Sequence, residues 1–249
     1  MNSQLIAKAK SLESVKYVFF DYYDTVIHRK VHPLKPFKIW AKILKTKLKL
    51  SISITEIYEI RRGAMKSLSK KLGRVESELS YHVVIKEIYE RLLEKKELSL
   101  ETSFENFLKY SSEADFESES SVQYLNKKTV ADLKMLKELG YKIYCVSDFH
   151  SDEELISQLL RYHEIEHLYD KIFVSASQNA SKENKGFLFQ HIKEKEELQF
   201  NEILMVGDNP VSDIANAKLH GMETHYLKRY GHKLKQKYQF LVLTLNHFF

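Results

Sequence analysis

Four polar residues stand where apolar runs stop: Asp21, Ser147, Ser175 and Asp208. Asp21 follows Val15 to Phe20 (VKYVFF), Ser147 follows Lys142 to Val146, Ser175 follows Lys171 to Val174, and Gly207 and Asp208 follow Glu202 to Val206. A carboxylate leaving a buried strand into a tight turn faces a cleft, where it can serve as a nucleophile and split one hard step into two easier ones. Asp213 lies five residues after Asp208, near the start of a helical pattern. Together with Asp21 and Asp208 it forms a hard-oxygen set suited to Mg²⁺, an ion that keeps several waters and bridges to phosphate. The Ser147 hydroxyl and a lysine just ahead of a helix, Lys182 or Lys185, could hold the oxygens of a phosphoryl group and spread its developing charge.

The elements that must carry these residues are legible in the apolar spacing. Strand patterns end at residues 20, 146, 174 and 206, and a fifth is expected over Thr224 to Leu227. Helical patterns fall between them, at Lys128 to Leu139, Asp152 to Arg161, Gly186 to Lys195 and Val211 to His220, and Gly140 stands where a helix C-terminal glycine belongs. Alternation of this kind predicts an α/β fold, a parallel sheet with helices on both faces. In such a sheet the carboxyl ends of the strands form the ligand site. The stretch between is different. Phe37 to Leu50, Thr55 to Leu72 and Glu78 to Glu97 are helical, with Leu79, Val83, Lys86, Glu87, Glu90 and Leu93 forming a mixed packing face. The serine- and acid-rich segment Ser111 to Ser121 marks the return to the sheet. The expected division is a core of residues 1–29 and 122–249 with a helical cap of residues 30–121.

These motifs, in this order, resemble the haloacid dehalogenase (HAD) superfamily across essentially the whole chain. The resemblance implies a Rossmann-like core with a helical cap inserted after the first strand. It implies Asp21 as nucleophile, Ser147 and a lysine as phosphoryl binders, and a Mg²⁺ site of Asp21, Asp208, Asp213 and the backbone carbonyl of Tyr23. Lys182 fits the family's lysine position better than Lys185, though SKENKGFLF allows both. One departure matters. Phosphatases of the family read D-x-D-x-T, the second aspartate being the general acid/base, and here that position is Tyr23. A phenol, with a pKa near 10, donates a proton but is a poor base at neutral pH. Dehalogenases of the family also carry Tyr there but generally lack the metal motif, whereas Gly207-Asp208-Asn209 is phosphatase-like.

FDYYDTVIHR further resembles the F-D-x-F-D-T-L-x-x-R pattern of HAD hydrolases associated with surface-polysaccharide glycosyltransferases, with Asp24 and Arg29 in matching positions. Cys145-Val146-Ser147-Asp148-Phe149 is similar to the S-D-M-Y stretch of the same group. In that setting Asp24, acting through a water, is the candidate replacement for the missing acid/base. The expectation is a Mg²⁺-dependent hydrolase of a small phosphorylated metabolite or sugar. Glycosyltransferase or polysaccharide machinery is the partner the subgroup resemblance implies. The alternatives are a dehalogenase-like hydrolase and a catalytically silent domain serving polysaccharide assembly.

Other features take plainer readings. Asp21 and Asp213 taken alone could be turn and helix-start acids. His163-Glu164-Ile165-Glu166-His167 matches H-E-x-x-H formally, but it sits at a helix-to-strand connection without a third ligand. Cys145 lies inside an apolar strand and reads as a buried, inert thiol. His28 and His32 flank the start of the insert and read as surface residues. The lysines at 38, 42, 45, 47 and 49 read as a solvated helix face. In the whole chain of 249 residues, 39 basic and 34 acidic side chains give a net charge of +5, a weak preference for anionic partners. No nucleic-acid module is recognisable. One cysteine excludes an intrachain disulfide framework and fits a reducing cytoplasm. No run reaches the length of a membrane span. The apolar end, Phe240 to Phe249, behind a basic stretch, is expected to pack on the core.

Overall fold

The computed structural model describes residues 3–99 and 102–228. The apolar segment from Phe240 to Phe249 lies outside the described residues. Helix α1 (Gln4–Ser11) leads into β1 (Tyr17–Phe20), and a short strand β2 (Ile27–Arg29) opens a helical insert. The insert comprises α2 (Lys35–Leu48), α3 (Ile54–Leu72), α4 (Tyr81–Glu94) and α5 (Phe104–Ser120), and the chain returns through β3 (Gln123–Leu125). Then follow α6 (Lys127–Glu138), β4 (Lys142–Ser147), α7 (Glu153–Tyr162), β5 (Lys171–Val174), α8 (Ser175–Gln178), α9 (Phe187–Glu196), β6 (Ile203–Gly207), α10 (Asn216–Leu219) and β7 (Glu223–Tyr226).

Five strands form one sheet in the order β5-β4-β1-β6-β7, and every pairing in it is parallel. Residues alternate across its faces, as the two-residue period of a strand requires. Val18, Phe20, Ile143, Cys145, Leu204 and Val206 pack with α1, α6 and α7 on one side. Phe19, Tyr144, Val146, Ile203 and Met205 pack with α9 on the other. Apolar side chains pointing both ways explain why these strands read as continuous hydrophobic runs. The Rossmann-like α/β architecture expected from the sequence is the one observed.

The register brings the strand ends level. Phe20 pairs with Cys145 on one side and Val206 on the other. Asp21 follows Phe20 directly, Ser147 ends β4 two residues after Cys145, and Asp208 follows β6 two residues after Val206, so all three stand at the carboxyl end of the sheet. Strand order reverses beside β1, so the crevice between β1 and β6 is the position where open α/β sheets bind ligands.

The insert has a hydrophobic core of its own, including Phe37, Trp40, Leu44, Ile57, Ile85, Ile88 and Phe107. It is tied to the sheet by the antiparallel ribbon β2–β3, which the apolar spacing did not disclose. Three local expectations are corrected. Ser111 to Ser121 does lead back to the sheet at β3, but as the second half of α5 with Ser121 as its cap rather than as a loop, and Phe107, Ser111, Ala114, Asp115 and Ser118 are buried at helical spacing. Its small serines allow close approach, and the Trp40 indole N–H donates to the Ser111 carbonyl at 3.1 Å. Glu78 lies outside α4, in a 3₁₀ turn spanning Glu76–Glu78, and α4 buries Tyr81, Val84, Ile85, Ile88 and Leu92 while Val83 is exposed. The packing face is thus rotated from the one expected, because the apolar side chains of Val84, Ile85, Ile88 and Leu92 recur at helical spacing while the expected face carried Lys86, Glu87 and Glu90. Finally, Pro210–Ala215 is a π-helical segment leading into α10, capped by the Asn209 side chain, which accepts from the amides of Val211 and Ser212. Short π segments of this kind are frequent at functional sites.

The insert's lysines are not uniformly solvated. The Lys45 ammonium donates to the carbonyls of Leu50, Ser51 and Ile52, closing the end of α2. Lys47 pairs with Glu113 and Glu117 of α5. Among the described residues, no helix is long and apolar enough to cross a membrane.

Candidate active site

Asp21 is the first residue beyond β1, and its amide donates to the Val206 carbonyl at 3.0 Å, which anchors the turn to β6. Its carboxylate is buried beside those of Asp208 and Asp213, with one ligand atom of each within 4.8 Å of the others. The buried Lys182 ammonium lies among them, 2.7 Å from Asp21 Oδ1 and 2.7 Å from Asp213 Oδ1. Burial pushes the Asp21 carboxyl well up; Lys182 opposes that, while Asp213 and Asp208 reinforce it. For Lys182, burial favours loss of the proton, but the carboxylates of Asp21, Asp213 and Asp148 outweigh it and raise its pKa. A charged lysine between two acids is the arrangement that can neutralise an arriving anion without titrating.

Asp213 owes its position to Gly207. A β-carbon on Gly207 would meet Asp213 Oδ2 at 2.2 Å. That same oxygen accepts the Asn209 amide at 2.9 Å, so the turn folds tightly back on the strand end. Ser147 closes the other side. It is 1% exposed, and its Oγ has no hydrogen-bond partner. A buried hydroxyl left unpaired at the end of the strand beside β1 needs an explanation, and a ligand oxygen is one. Three clustered carboxylates are also the right donor chemistry for a hard divalent cation. Asp213 Oδ1 accepts from Lys182 and its Oδ2 from the Asn209 amide, and Asp21 Oδ1 meets the same ammonium, so Lys182 bridges two of the three acids.

Lys182 and Lys185 separate clearly. Lys182 is buried in the acid cluster, whereas Lys185 is exposed, with positive φ (52°), and its carbonyl meets His220 Nε2 at 2.9 Å. The turn carrying Lys182 is held from several sides, which the sequence did not disclose. Asp148 accepts the amides of Lys182 at 2.8 Å and Glu183 at 2.9 Å. The Asn216 amide side chain donates to the carbonyls of Lys182 and Glu183. Asp148 could have been suspected from its position directly after the strand-end serine; Asn216 carried no signal.

The Tyr23 phenol turns to the ribbon rather than to the carboxylates. Gln123 Nε2 donates to its hydroxyl at 3.3 Å, and the Arg29 guanidinium lies 3.4 Å from its ring centre. Arg29 in turn pairs with the buried Glu119 at 3.2 Å. Burial first, and then Glu119, push the phenol's pKa well up, so it stays protonated. Asp24 takes a left-handed conformation (φ 57°) in the turn, and its Oδ1 is 3.7 Å from His28 Nδ1. Ser175 faces inward, its Oγ accepting the Phe149 amide at 2.9 Å and donating to the Ser77 carbonyl at 2.6 Å. The histidines of the H-E-x-x-H match do not share a helix face. His163 ends α7, Glu164 has φ 59°, and His167 lies in a separate 3₁₀ turn. Cys145 is buried, and burial raises its thiol. His32 Nδ1 accepts the Leu34 amide.

Solved structures share this architecture at low sequence identity. A 2-haloacid dehalogenase from Pseudomonas syringae pv. Tomato DC3000 aligns with a TM-score of 0.63 and 17% identity, over 85% of this chain and 86% of that one. A HAD phosphatase from Thermococcus onnurineus gives a TM-score of 0.52 and 22% identity, over 87% and 88%. A HAD-hydrolase from Bacillus subtilis, solved bound to magnesium, gives 0.51 and 16%, over 86% of each chain. No curated protein matches the chain. The family model described as haloacid dehalogenase-like hydrolase matches residues 15–221. That span takes in β1, the whole insert and each of the strand ends that meet at Asp21, and the chain therefore belongs to the haloacid dehalogenase-like hydrolases.

Proposed function

We propose that this hydrolase is a Mg²⁺-dependent phosphatase of a small phosphorylated metabolite or sugar, acting through an aspartyl-phosphate on Asp21. The observation that carries the reading is the buried group of Asp21, Asp208, Asp213 and Lys182, together with the unpaired Ser147 hydroxyl at the end of the neighbouring strand β4. An Asp21 oxygen attacks phosphorus, the phosphorus–oxygen bond to the leaving group breaks, and the leaving oxygen takes a proton. Water then attacks phosphorus, its proton returns to Asp24, the bond to Asp21 breaks to restore the carboxylate, and inorganic phosphate leaves. Lys182 and Ser147 hold the phosphoryl oxygens through both steps. Asp21, Asp208, Asp213 and the Tyr23 carbonyl would hold Mg²⁺, which neutralises phosphoryl charge when bound. Lys185 has no part in this scheme.

Asp24 supplies the proton through a water, since the Tyr23 phenol is engaged by Gln123 and kept protonated by burial. Residues 30–121 act as a cap that covers the crevice and selects the substrate over a core of residues 1–29 and 122–249. The pairing of Tyr23 with Arg29 gives a physical reason for both residues of the FDYYDTVIHR segment. It supports placement in the subgroup associated with surface-polysaccharide glycosyltransferases, with that machinery as the partner. The alternative, carbon–halogen hydrolysis, is favoured by Tyr23 alone, because a halide leaves without a proton.

Release of phosphate from aryl phosphates, with and without Mg²⁺, tests the reading beside release of halide from 2-haloacids. Asp21→Asn should abolish phosphate release with the circular dichroism spectrum unchanged. Turnover that survives it removes Asp21 as nucleophile. Halide release without phosphate release moves the assignment to the dehalogenases, and neither activity leaves a silent domain.

A further inference from the structure

Residues 74–78, the 3₁₀ turn between α3 and α4 with the two residues before it, reach out of the insert and grip the segment that carries Lys182. The Arg74 guanidinium donates to Asn179 Oδ1 at 2.8 Å. The Ser77 carbonyl accepts from Ser175 Oγ, and Ser77 Oγ donates to Glu183 Oε1 at 2.5 Å. Glu78 makes the central contact. It is 3% exposed, and its Oε1 accepts the Ser181 amide at 3.1 Å, the Ser181 hydroxyl at 2.8 Å and the Asn184 side-chain amide at 3.0 Å.

A buried carboxylate is costly unless its oxygens are satisfied. Every one of these three donors belongs to residues 181–184 of the other part of the fold. If the insert moved away, Glu78 would exchange these bonds for water, and the turn would lose an acceptor next to Lys182. Asp148 and Asn216 hold the same turn from the sheet side, whereas Glu78, with three of its donors there, and the single Ser77 bond to Glu183 are the holds that depend on where the insert sits.

We propose that Glu78 is a positioning residue that couples the seating of the helical insert to the placement of the Lys182 ammonium. The insert thereby does more than cover the crevice: in its seated position it completes the alignment of the phosphoryl-binding lysine. This rests on the phosphoryl-binding role given to Lys182 above.

Amide hydrogen exchange of the full chain tests the coupling without requiring turnover. Glu78→Ala should raise exchange at residues 179–186 about tenfold, while β1, β4 and β6 stay protected. Glu78→Gln keeps an acceptor oxygen for the Ser181 amide and should restore most of the protection. Beryllofluoride with Mg²⁺, as phosphoryl mimic, should bind Glu78→Ala about tenfold more weakly at unchanged stoichiometry, and the Gln variant should recover. Should Glu78→Ala not fold, Ser181→Ala, which removes only the hydroxyl donor, should show the same local rise in exchange to a lesser degree. Unchanged exchange at 179–186 overturns the proposal. So does a rise spread over the whole sheet, or lower mimic stoichiometry at unchanged affinity, since both report a purely structural role. If phosphate release fails for the wild-type protein, the phosphatase reading falls, and the exchange experiment still judges the coupling.

Discussion

Asp148 takes the amides of Lys182 and Glu183 on its two oxygens, so its charge state governs how firmly the lysine turn is held. Burial pushes its carboxyl up to about 6; Lys182 and the two amide bonds pull against that, and Glu183 adds to it. The sign follows from the raised value. Because the folded form takes the proton more readily than the unfolded chain, this group adds stability as pH falls from about 6 toward 4 and none above 6. The lysine turn responds the other way, since a protonated carboxyl accepts two amides poorly. Turnover should therefore fall as pH drops through about 6. Asp148→Asn should be about tenfold slower and lack that limb, as a pH–rate profile would reveal. Asp24 permits a cleaner substitution than most acids. Asn tolerates the left-handed conformation that Asp24 adopts, so Asp24→Asn removes charge without straining the turn. Its turnover of alkyl phosphates should fall about a hundredfold, with aryl phosphates, whose leaving group needs little protonation, affected far less. Equal rates on alkyl phosphates would exclude Asp24 as the proton source.

The element that decides the insert's integrity is α5, whose Asp115 meets Arg61 of α3 at 2.8 Å and the Tyr81 hydroxyl of α4 at 2.8 Å, all three buried. Arg61 also lies over the rings of Phe37 and Trp40, at 4.6 Å and 4.4 Å. All four helices of the insert therefore converge on one ion pair. Removing one partner strands a buried charge, and Asp115→Ala should cost about 3–5 kcal/mol in urea unfolding. Replacing both partners with apolar residues of similar size should cost much less. The ribbon β2–β3 is the second decisive element. Gln123 of β3 joins Tyr22, Tyr23, Glu119 and His163 in one hydrogen-bonded group at the root of the insert. That group ties the turn after Asp21 to the point where the insert begins and ends.

On the scale of the molecule, like charges held close define the site. Asp21, Asp208 and Asp213 repel one another, and Lys182 compensates only part of that repulsion. A divalent cation bound there stabilises the fold by mass action, about 2.7 kcal/mol at a hundred times its Kd. Thermal unfolding should shift upward with Mg²⁺, return to its starting value with chelator, and become insensitive in Asp208→Asn. A shift retained in that variant would put the cation elsewhere.

Much of this was readable from the chain. Apolar runs ending in Asp21, Ser147 and Asp208 followed from strands buried on both faces, and helical spacing between them implied parallel crossovers. Those signals are local, because a residue's period and its neighbours determine which face it buries. The ribbon β2–β3 was not readable, since three-residue strands are too short to show a period. Ser111 to Ser121 marked the return to the sheet, but not its helical form, because serine and acid usually mark a turn, whereas here they lie on α5 with Ser111 bonded to Trp40 and Asp115 to Arg61. The choice between Lys182 and Lys185 needed the folded chain, for a three-residue offset around a tight turn reverses which ammonium faces inward. The hold of Glu78 on Ser181 joins residues 103 positions apart. Nothing in either segment alone encodes that contact. It exists because the register of β1 against β4 and the packing of the insert bring the two turns together.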